Sequence, residues 1–219
     1  MIESIEIRNF KGIRTCKLND LAQVNILIGR NGAGKSTVLE ALYVASAWIK
    51  AHDSIRKRDK LDYVVKRRTS RGDWSSLMQV LWFSMNLDNE VKIVLALLGR
   101  RLKFQLVPHH DAKSAVFVDL HRYVTEEQSI LYNYYMGYIM RRTPSGFIFE
   151  SGGSLRERIV KTLGKELIQF LGDVTLIDDY IMRNTKEVEE AVWPELLANR
   201  QDKIIVDLIG MVMRKTQRV

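Results

Sequence analysis

The chain has 219 residues, with 34 Lys and Arg against 26 Asp and Glu, a formal net charge of +8. That length supports one sizeable core, or one core with an appended lobe. No apolar run approaches the ~18 residues of a membrane-spanning helix. The start lacks the basic patch and long apolar stretch of a secretory signal, and the single cysteine, Cys16, cannot form an internal disulfide. The expectation is a reducing, cytoplasmic setting without a membrane partner.

In chain order, Ile2, Ile5 and Ile7 stand against Glu3, Glu6 and Arg8, the pattern of a half-buried strand. Gly12 permits a turn, and Ile13 to Leu18 predict a second strand. Val24 to Ile28 is an apolar run that predicts a buried strand. It leads directly into Gly29-Arg30-Asn31-Gly32-Ala33-Gly34-Lys35-Ser36-Thr37, a complete G-x-x-x-x-G-K-S/T phosphate loop. Val38, Leu39, Leu42, Tyr43 and Ala45 then recur at helical spacing, predicting a helix to about Ala51. Strand, glycine turn and helix are what the chemistry needs. Backbone N–H groups from Asn31 to Thr37 could cradle a polyphosphate, with the positive end of the helix dipole behind them. Lys35 would reach the β/γ-phosphates as a point charge, and the Ser36 hydroxyl would ligate Mg²⁺. The implied ligands are ATP and Mg²⁺.

Residues 52–76 are polar and basic, with weak helical character around Leu61, Val64 and Val65. Between Arg56 and Arg71 eight cations (Arg56, Lys57, Arg58, Lys60, Lys66, Arg67, Arg68 and Arg71) face only Asp59 and Asp62. Such a block could follow a DNA backbone; it could equally be a solvated insertion, and its aromatics are not interleaved as base stacking requires. Strands are predicted over Leu77–Asn86, Val91–Leu98, Leu102–Val107 and Ala115–Leu120. Capping-box spacing at Thr125 and at Ser154 predicts two helices, the first carrying Ile130, Leu131, Tyr134, Tyr138 and Ile139. Asn184 and Glu187 cap a third, and Ile204, Ile205, Leu208 and Ile209 mark a last amphipathic one from about Gln201. His109 and His110 lack a further ligand at metal-binding spacing. G-x-G-x-x-G and strict β-α alternation are both missing, which excludes a Rossmann dinucleotide domain.

The segment Met1 to Gly12, followed by Asn25 to Leu42 with its Leu39-Glu40-Ala41-Leu42, resembles the N-terminal lobe of ABC-class ATPase heads. The nearer likenesses are the SMC, RecF and overcoming-lysogenization-defect (OLD) types, often called AAA-family ATP-binding proteins. A looser similarity to the OLD-like subgroup covers Asp178–Val206. The resemblance implies an α/β phosphate-loop NTPase fold. Residues 1–120 would form a nucleotide-binding lobe, a mixed sheet around the loop helix with the basic insertion at about 52–76, and residues 121–219 a mainly helical subdomain. It implies phosphate and metal contacts from Lys35, Ser36 and Thr37, with Arg8, Asn9 and Lys11 lining the nucleotide near adenine and ribose. It also implies work as a dimer, each loop facing a partner's signature motif. Gln79 could stand for the glutamine that senses the γ-phosphate and metal.

Glu150 to Ser154 resembles a degenerate signature, and Val174 to Asp179 resembles a Walker B strand ending in Asp178 and Asp179. On that reading the chain is a stand-alone small ATPase. Against it, the run is short for a central strand, its second carboxylate is Asp, and no histidine follows residue 174. The favoured expectation is the front portion of a larger ATPase acting in DNA repair, maintenance or defence, with signature and Walker B supplied elsewhere. A truncation, a split gene or a degenerate paralogue would all read alike. A third reading makes the chain a nucleic-acid-binding module that works through Arg56–Arg71.

Overall fold

In the computed structural model of the chain the residues described are 1–47, 49–50, 52–67, 77–107, 115–119, 129–133, 138–143, 146–151, 164–186, 189–190 and 194. Strands β1 (Ile2–Phe10) and β2 (Ile13–Leu18) precede helix α1 (Lys35–Ser46). The two-residue strands β3 (His52–Asp53) and β4 (Arg58–Asp59) pair with each other, and α2 (Lys60–Lys66) follows. Then come β5 (Val91–Leu97), β6 (Arg100–Val107), β7 (Ala115–Asp119), β8 (Ser129–Asn133), β9 (Tyr138–Thr143) and β10 (Gly146–Ser151). Helices α3 (Lys165–Gly172) and α4 (Asp179–Arg183) follow.

Alternation decides the centre of the fold. β5 buries Val91, Ile93, Leu95 and Leu97, every second residue, so these side chains share one face. The antiparallel register carries that face across three strands. Ile7 of β1 lies opposite Ile93, and Ile93 opposite Phe104 of β6; Ile5, Leu95 and Leu102 form the next row. α1 lies against β1 and β5, burying Ala41, Val44 and Ala45. α2 packs on α1, with Tyr43 and Tyr63 edge to face at 6.3 Å between ring centroids.

Among the described residues the chain divides into two units, Met1–His52 with Asp59–Leu176, and Asp53–Arg58 with Ile177–Val219. The first holds an eight-stranded sheet in the order β10-β9-β8-β7-β6-β5-β1-β2. The second holds α4 and the Asp53–Arg58 segment, joined by the buried Arg56 guanidinium.

Several expectations are corrected. The sheet is antiparallel at every pairing among the described residues, where a mixed sheet was expected. The run that would have brought a parallel neighbour, Val24–Ile28, takes part in no strand. Leu77–Asn86 forms two 3-10 turns, Met78–Leu81 and Phe83–Met85, rather than a strand. There the consecutive residues Leu81 and Trp82 are both buried, which period-two alternation on a half-covered sheet does not allow. The helix expected from Thr125 is the hairpin of β8 and β9, and the sheet runs on through Ser151, beyond the expected boundary at residue 120. Ile130, Leu131 and Tyr132 favour strands, and pairing with β7 outweighs the capping-box signal. Thr125–Gln128, the helix start at Ser154, the pair His109-His110 and the stretch from Gln201 lie outside the described residues.

Candidate functional site

The loop is shaped by two glycines with left-handed backbone. Gly32 has φ 83°, and Gly34, the residue before α1, has φ 87°, a region costly for any residue with a Cβ. At Gly34 a Cβ would also lie 3.2 Å from Ile13 Cγ1 of β2, so the sheet crowds the loop from behind. The Ala33 amide donates to the Arg30 carbonyl at 3.1 Å, closing a tight turn, and the Val38 amide donates to the Gly34 carbonyl at 3.0 Å as the first bond of the helix. No side chain caps α1. A helix leaves its first N–H groups without intrahelical partners, and here those are the amides of Lys35, Ser36 and Thr37. They are donors at the positive end of the helix, where an anion is stabilised.

The Lys35 ammonium folds across the loop, donating to the Gly29 and Arg30 carbonyls at 2.7 and 2.9 Å. It thereby spans from one end of the loop to the other. The Ser36 side chain is exposed, while Thr37 is buried under the first turn. Asn31, Gly32 and Ala33 are exposed. Among the described residues no group of three or more His, Cys, Asp or Glu could hold a metal ion. A magnesium ion here would depend on the Ser36 hydroxyl together with phosphate oxygens, the way Mg²⁺ commonly sits in nucleotide sites.

The turn between β1 and β2 adjoins the loop through Ile13. Its positive φ values fall on Asn9 (52°) and Lys11 (50°), while Gly12, expected to supply the turn's freedom, is not among them. Two bonds hold this conformation: Asn9 Nδ2 donates to the Glu90 carbonyl at 3.0 Å, and the Lys11 amide donates to the Leu81 carbonyl at 2.9 Å. The Lys11 ammonium lies 2.6 Å from Glu40, whose other oxygen accepts from Arg67 at 2.7 Å. Arg8 pairs with Glu6 at 2.7 Å. Glu40 is fully buried one helical turn beyond Ser36, and it ties α1 to the β1–β2 turn and to the end of α2. No role for this carboxylate was expected from the residues alone. Its signal was there, a Glu between the apolar Leu39 and Ala41 on a helix that must bury one face.

Two cations of the basic block, Arg56 and Lys60, are buried. Arg56 is buried and bonds Asp53 at 2.8 Å and Asp178 at 3.0 Å. Lys60, 2% exposed, donates to Ser46 Oγ at 2.8 Å and the Val174 carbonyl at 3.1 Å, beneath the C-terminal end of α1 where a cation is favoured. Lys66 pairs with Asp62, and Arg67 with Glu40. Lys57 and Arg58 are exposed, and Arg68 and Arg71 lie outside the described residues.

The other candidates are placed as follows. Val174–Asp178 forms no strand. Asp178 precedes α4 and is engaged by Arg56, while Asp179 opens that helix. Gln79 lies in the first 3-10 turn. Glu150 and Ser151 end β10, and the glycines after them are outside the described residues.

Comparison with known proteins agrees with the loop. Residues 1–96 match the model of the AAA ATPase domain. An ATP/GTP phosphatase of Helicobacter pylori is 29% identical over 105 residues, 44% of this chain and 25% of that protein. The DNA replication and repair protein RecF of Acholeplasma laidlawii is 40% identical over 63 residues, 29% of this chain and 18% of that protein. The DNA double-strand break repair Rad50 ATPase of Archaeoglobus fulgidus is 37% identical over 89 residues, 41% of this chain and 9% of that protein. The chain thus spans a quarter or less of the length of these relatives. Loop, helix and matched model together make residues 1–96 similar to the phosphate-loop portion of an AAA ATPase domain, of the kind found in proteins named as RecF and as Rad50 ATPases.

Proposed function

We propose that the chain is the ATP-gripping portion of an SMC/RecF/OLD-like ATPase. The observation that carries this is the uncapped start of α1, where the Lys35, Ser36 and Thr37 amides follow a glycine held at φ 87°. A triphosphate tail at this end satisfies those donors. Lys35 exchanges its bonds to the Gly29 and Arg30 carbonyls for phosphate oxygens, and the remaining loop residues, Asn31 to Ala33, border the tail. Mg²⁺, held by the Ser36 hydroxyl, would neutralise phosphate charge. Thr37 supports the first turn from beneath. Arg8 and Asn9 lie at the near end of the sheet and would meet the base or ribose. Lys11 would do so only by leaving Glu40.

Hydrolysis asks for more than the loop. A carboxylate to position water and a signature motif to close on the γ-phosphate would come from further ATPase polypeptide, with two such sites sandwiched in a dimer. This reading does not assign that role to Asp178, which pairs with Arg56 at 3.0 Å. RecF and Rad50 carry DNA repair in their names, and DNA repair, maintenance or defence is the setting proposed for this chain. Any DNA contact from the basic block would use exposed cations such as Lys57 and Arg58. The test is titration with a fluorescent ATP analogue and phosphate release, on wild type and Lys35→Ala. Binding with little turnover, weakened at least tenfold in Lys35→Ala, is expected. Absence of binding by folded wild-type protein would refute the reading.

A further inference from the structure

One buried carboxylate serves two cations here. Glu40 is fully buried on α1, and among the described residues it meets Lys11 from the β1–β2 turn and Arg67 from the C-terminal end of α2. The two contacts differ in kind. Arg67 Nη1 donates a hydrogen bond to Glu40 Oε1 at 2.7 Å. Lys11 Nζ lies 2.6 Å from Oε2, but Oε2 accepts no hydrogen bond, so the ammonium is held by charge rather than by an aligned bond.

The place of Glu40 on α1 makes that ammonium a neighbour of the anion site. Glu40 follows Ser36 by four residues, which puts the two on one face of the helix, about 6 Å apart along its axis. A helical side chain leans toward the N-terminus of its helix, so the carboxylate reaches back over the turn that begins at Ser36. The Lys11 backbone is fixed by its amide bond to the Leu81 carbonyl. A swing of its long stem, with that backbone in place, carries the ammonium from Glu40 toward the loop.

Burial decides which departures are allowed. A carboxylate removed from water needs a cation beside it, and loss of the last one is strongly unfavourable. With two partners Glu40 can release one and stay compensated. With one it cannot.

We propose that Arg67 is a positioning residue for nucleotide binding: it holds Glu40 so that Lys11 can turn from that carboxylate to bound ATP. This rests on the reading of the loop as an ATP site. Arg67 itself stays away from the nucleotide, and its effect passes through Glu40 to Lys11. Bound ATP in turn leaves Glu40 to Arg67, which draws the end of α2 more firmly onto α1.

The test is calorimetric titration of the chain with ATP and Mg²⁺, each variant first shown to be folded by its thermal transition. Arg67→Met should weaken ATP binding about tenfold, the size of one ion-pair coupling, and Arg67→Lys should recover most of it. The double variant Glu40→Gln with Arg67→Met should bind nearly as the wild type does, because an uncharged residue 40 no longer holds Lys11 back. Lys11→Met should bind weakly, and adding Arg67→Met to it should weaken binding no further. If Arg67→Met does not fold, Arg67→Gln takes its place, keeping an amide donor for Glu40 without the charge. Unchanged affinity in the folded Arg67 variant would overturn the proposal. So would a double variant as weak as Arg67→Met, which would mean that Arg67 serves the nucleotide directly or serves the fold alone. A further loss on the Lys11→Met background would overturn it too, since the effect would then bypass Lys11. Absence of ATP binding by folded wild-type chain refutes the ATP reading and this proposal together, whereas wild-type binding with no Arg67 effect refutes this proposal alone.

Discussion

Glu40 is the side chain whose replacement says most about the site. Its carboxylate is fully buried and meets Lys11 at 2.6 Å and Arg67 at 2.7 Å. Removing one partner of a buried ion pair costs about 3–5 kcal/mol, because the charge left behind keeps its desolvation penalty without compensation. Arg67 has 21% side-chain exposure and can turn to water, whereas Lys11 has 10% and is held by its own backbone bond to Leu81. The expected loss for Glu40→Ala is therefore at the lower end, about 3 kcal/mol. For a chain of this size that is roughly 6–12 °C in Tm. Glu40→Gln, which keeps shape and one acceptor, should lose about half as much. Urea and thermal unfolding measure both. A double-mutant cycle with Lys11→Met should give a coupling of about 1–3 kcal/mol. The same four proteins, titrated with ATP, decide the role of Lys11: a structural lysine lowers stability and leaves affinity nearly unchanged, while one that reaches the nucleotide lowers affinity beyond any stability effect. Glu40→Ala within about 0.5 kcal/mol of wild type, or a strictly additive cycle, would refute the argument.

Gly34→Ala places a Cβ at φ 87° and 3.2 Å from Ile13; it should destabilise by about 1–2 kcal/mol and weaken ATP binding at least tenfold by calorimetry, and unchanged affinity would contradict the loop geometry. Lys60→Met keeps the stem and removes the donors to Ser46 and Val174. A loss of about 1–3 kcal/mol is expected in urea unfolding, with DNA retention on a heparin or oligonucleotide column unchanged; a marked fall in retention would put this ammonium at the surface. Asp178→Asn removes a charge from the buried Arg56 cluster and should lower stability while leaving ATP affinity intact. Sustained hydrolysis by the wild-type chain, abolished in this variant, would instead restore the stand-alone ATPase.

Elements whose signal is local were legible. β1, β2, α1, β5 and β6 lie close to where alternation and helical spacing put them, because each side chain's face is decided by its own strand or helix. The loop was legible for a stronger reason: Gly34 is required by a backbone angle and by contact with Ile13, and no other residue meets both conditions. The β8–β9 hairpin was not legible. Its residues satisfy helical spacing as well as strand propensity, and the choice is made by β7, a neighbour the local pattern does not contain. Leu77–Asn86 failed similarly, since Trp82 is anchored by a single bridge to Phe10 rather than by a ladder.

The charges show most sharply where reading by composition stops. Eight cations in sixteen residues, Arg56 to Arg71, look like a surface for a polyanion, but composition carries no information about which way a side chain turns. Two of these cations, Arg56 and Lys60, are buried by Asp53, Asp178, the Ser46 hydroxyl and the Val174 carbonyl, most of them far away in sequence, and Arg67 is drawn partly in by Glu40. A buried cation needs such partners, since desolvation without them costs several kcal/mol. The acids sit on or beside helices that already had other assignments, Glu40 in the loop helix and Asp178 in a supposed metal strand. Val24–Ile28 is the mirror case. Its apolar pattern was read as burial, but burial belongs to a pair of surfaces, and Val24, Ile26 and Ile28 are exposed here. Both errors have one source: residue type states what an environment would have to offer, and only the three-dimensional arrangement shows whether it is offered.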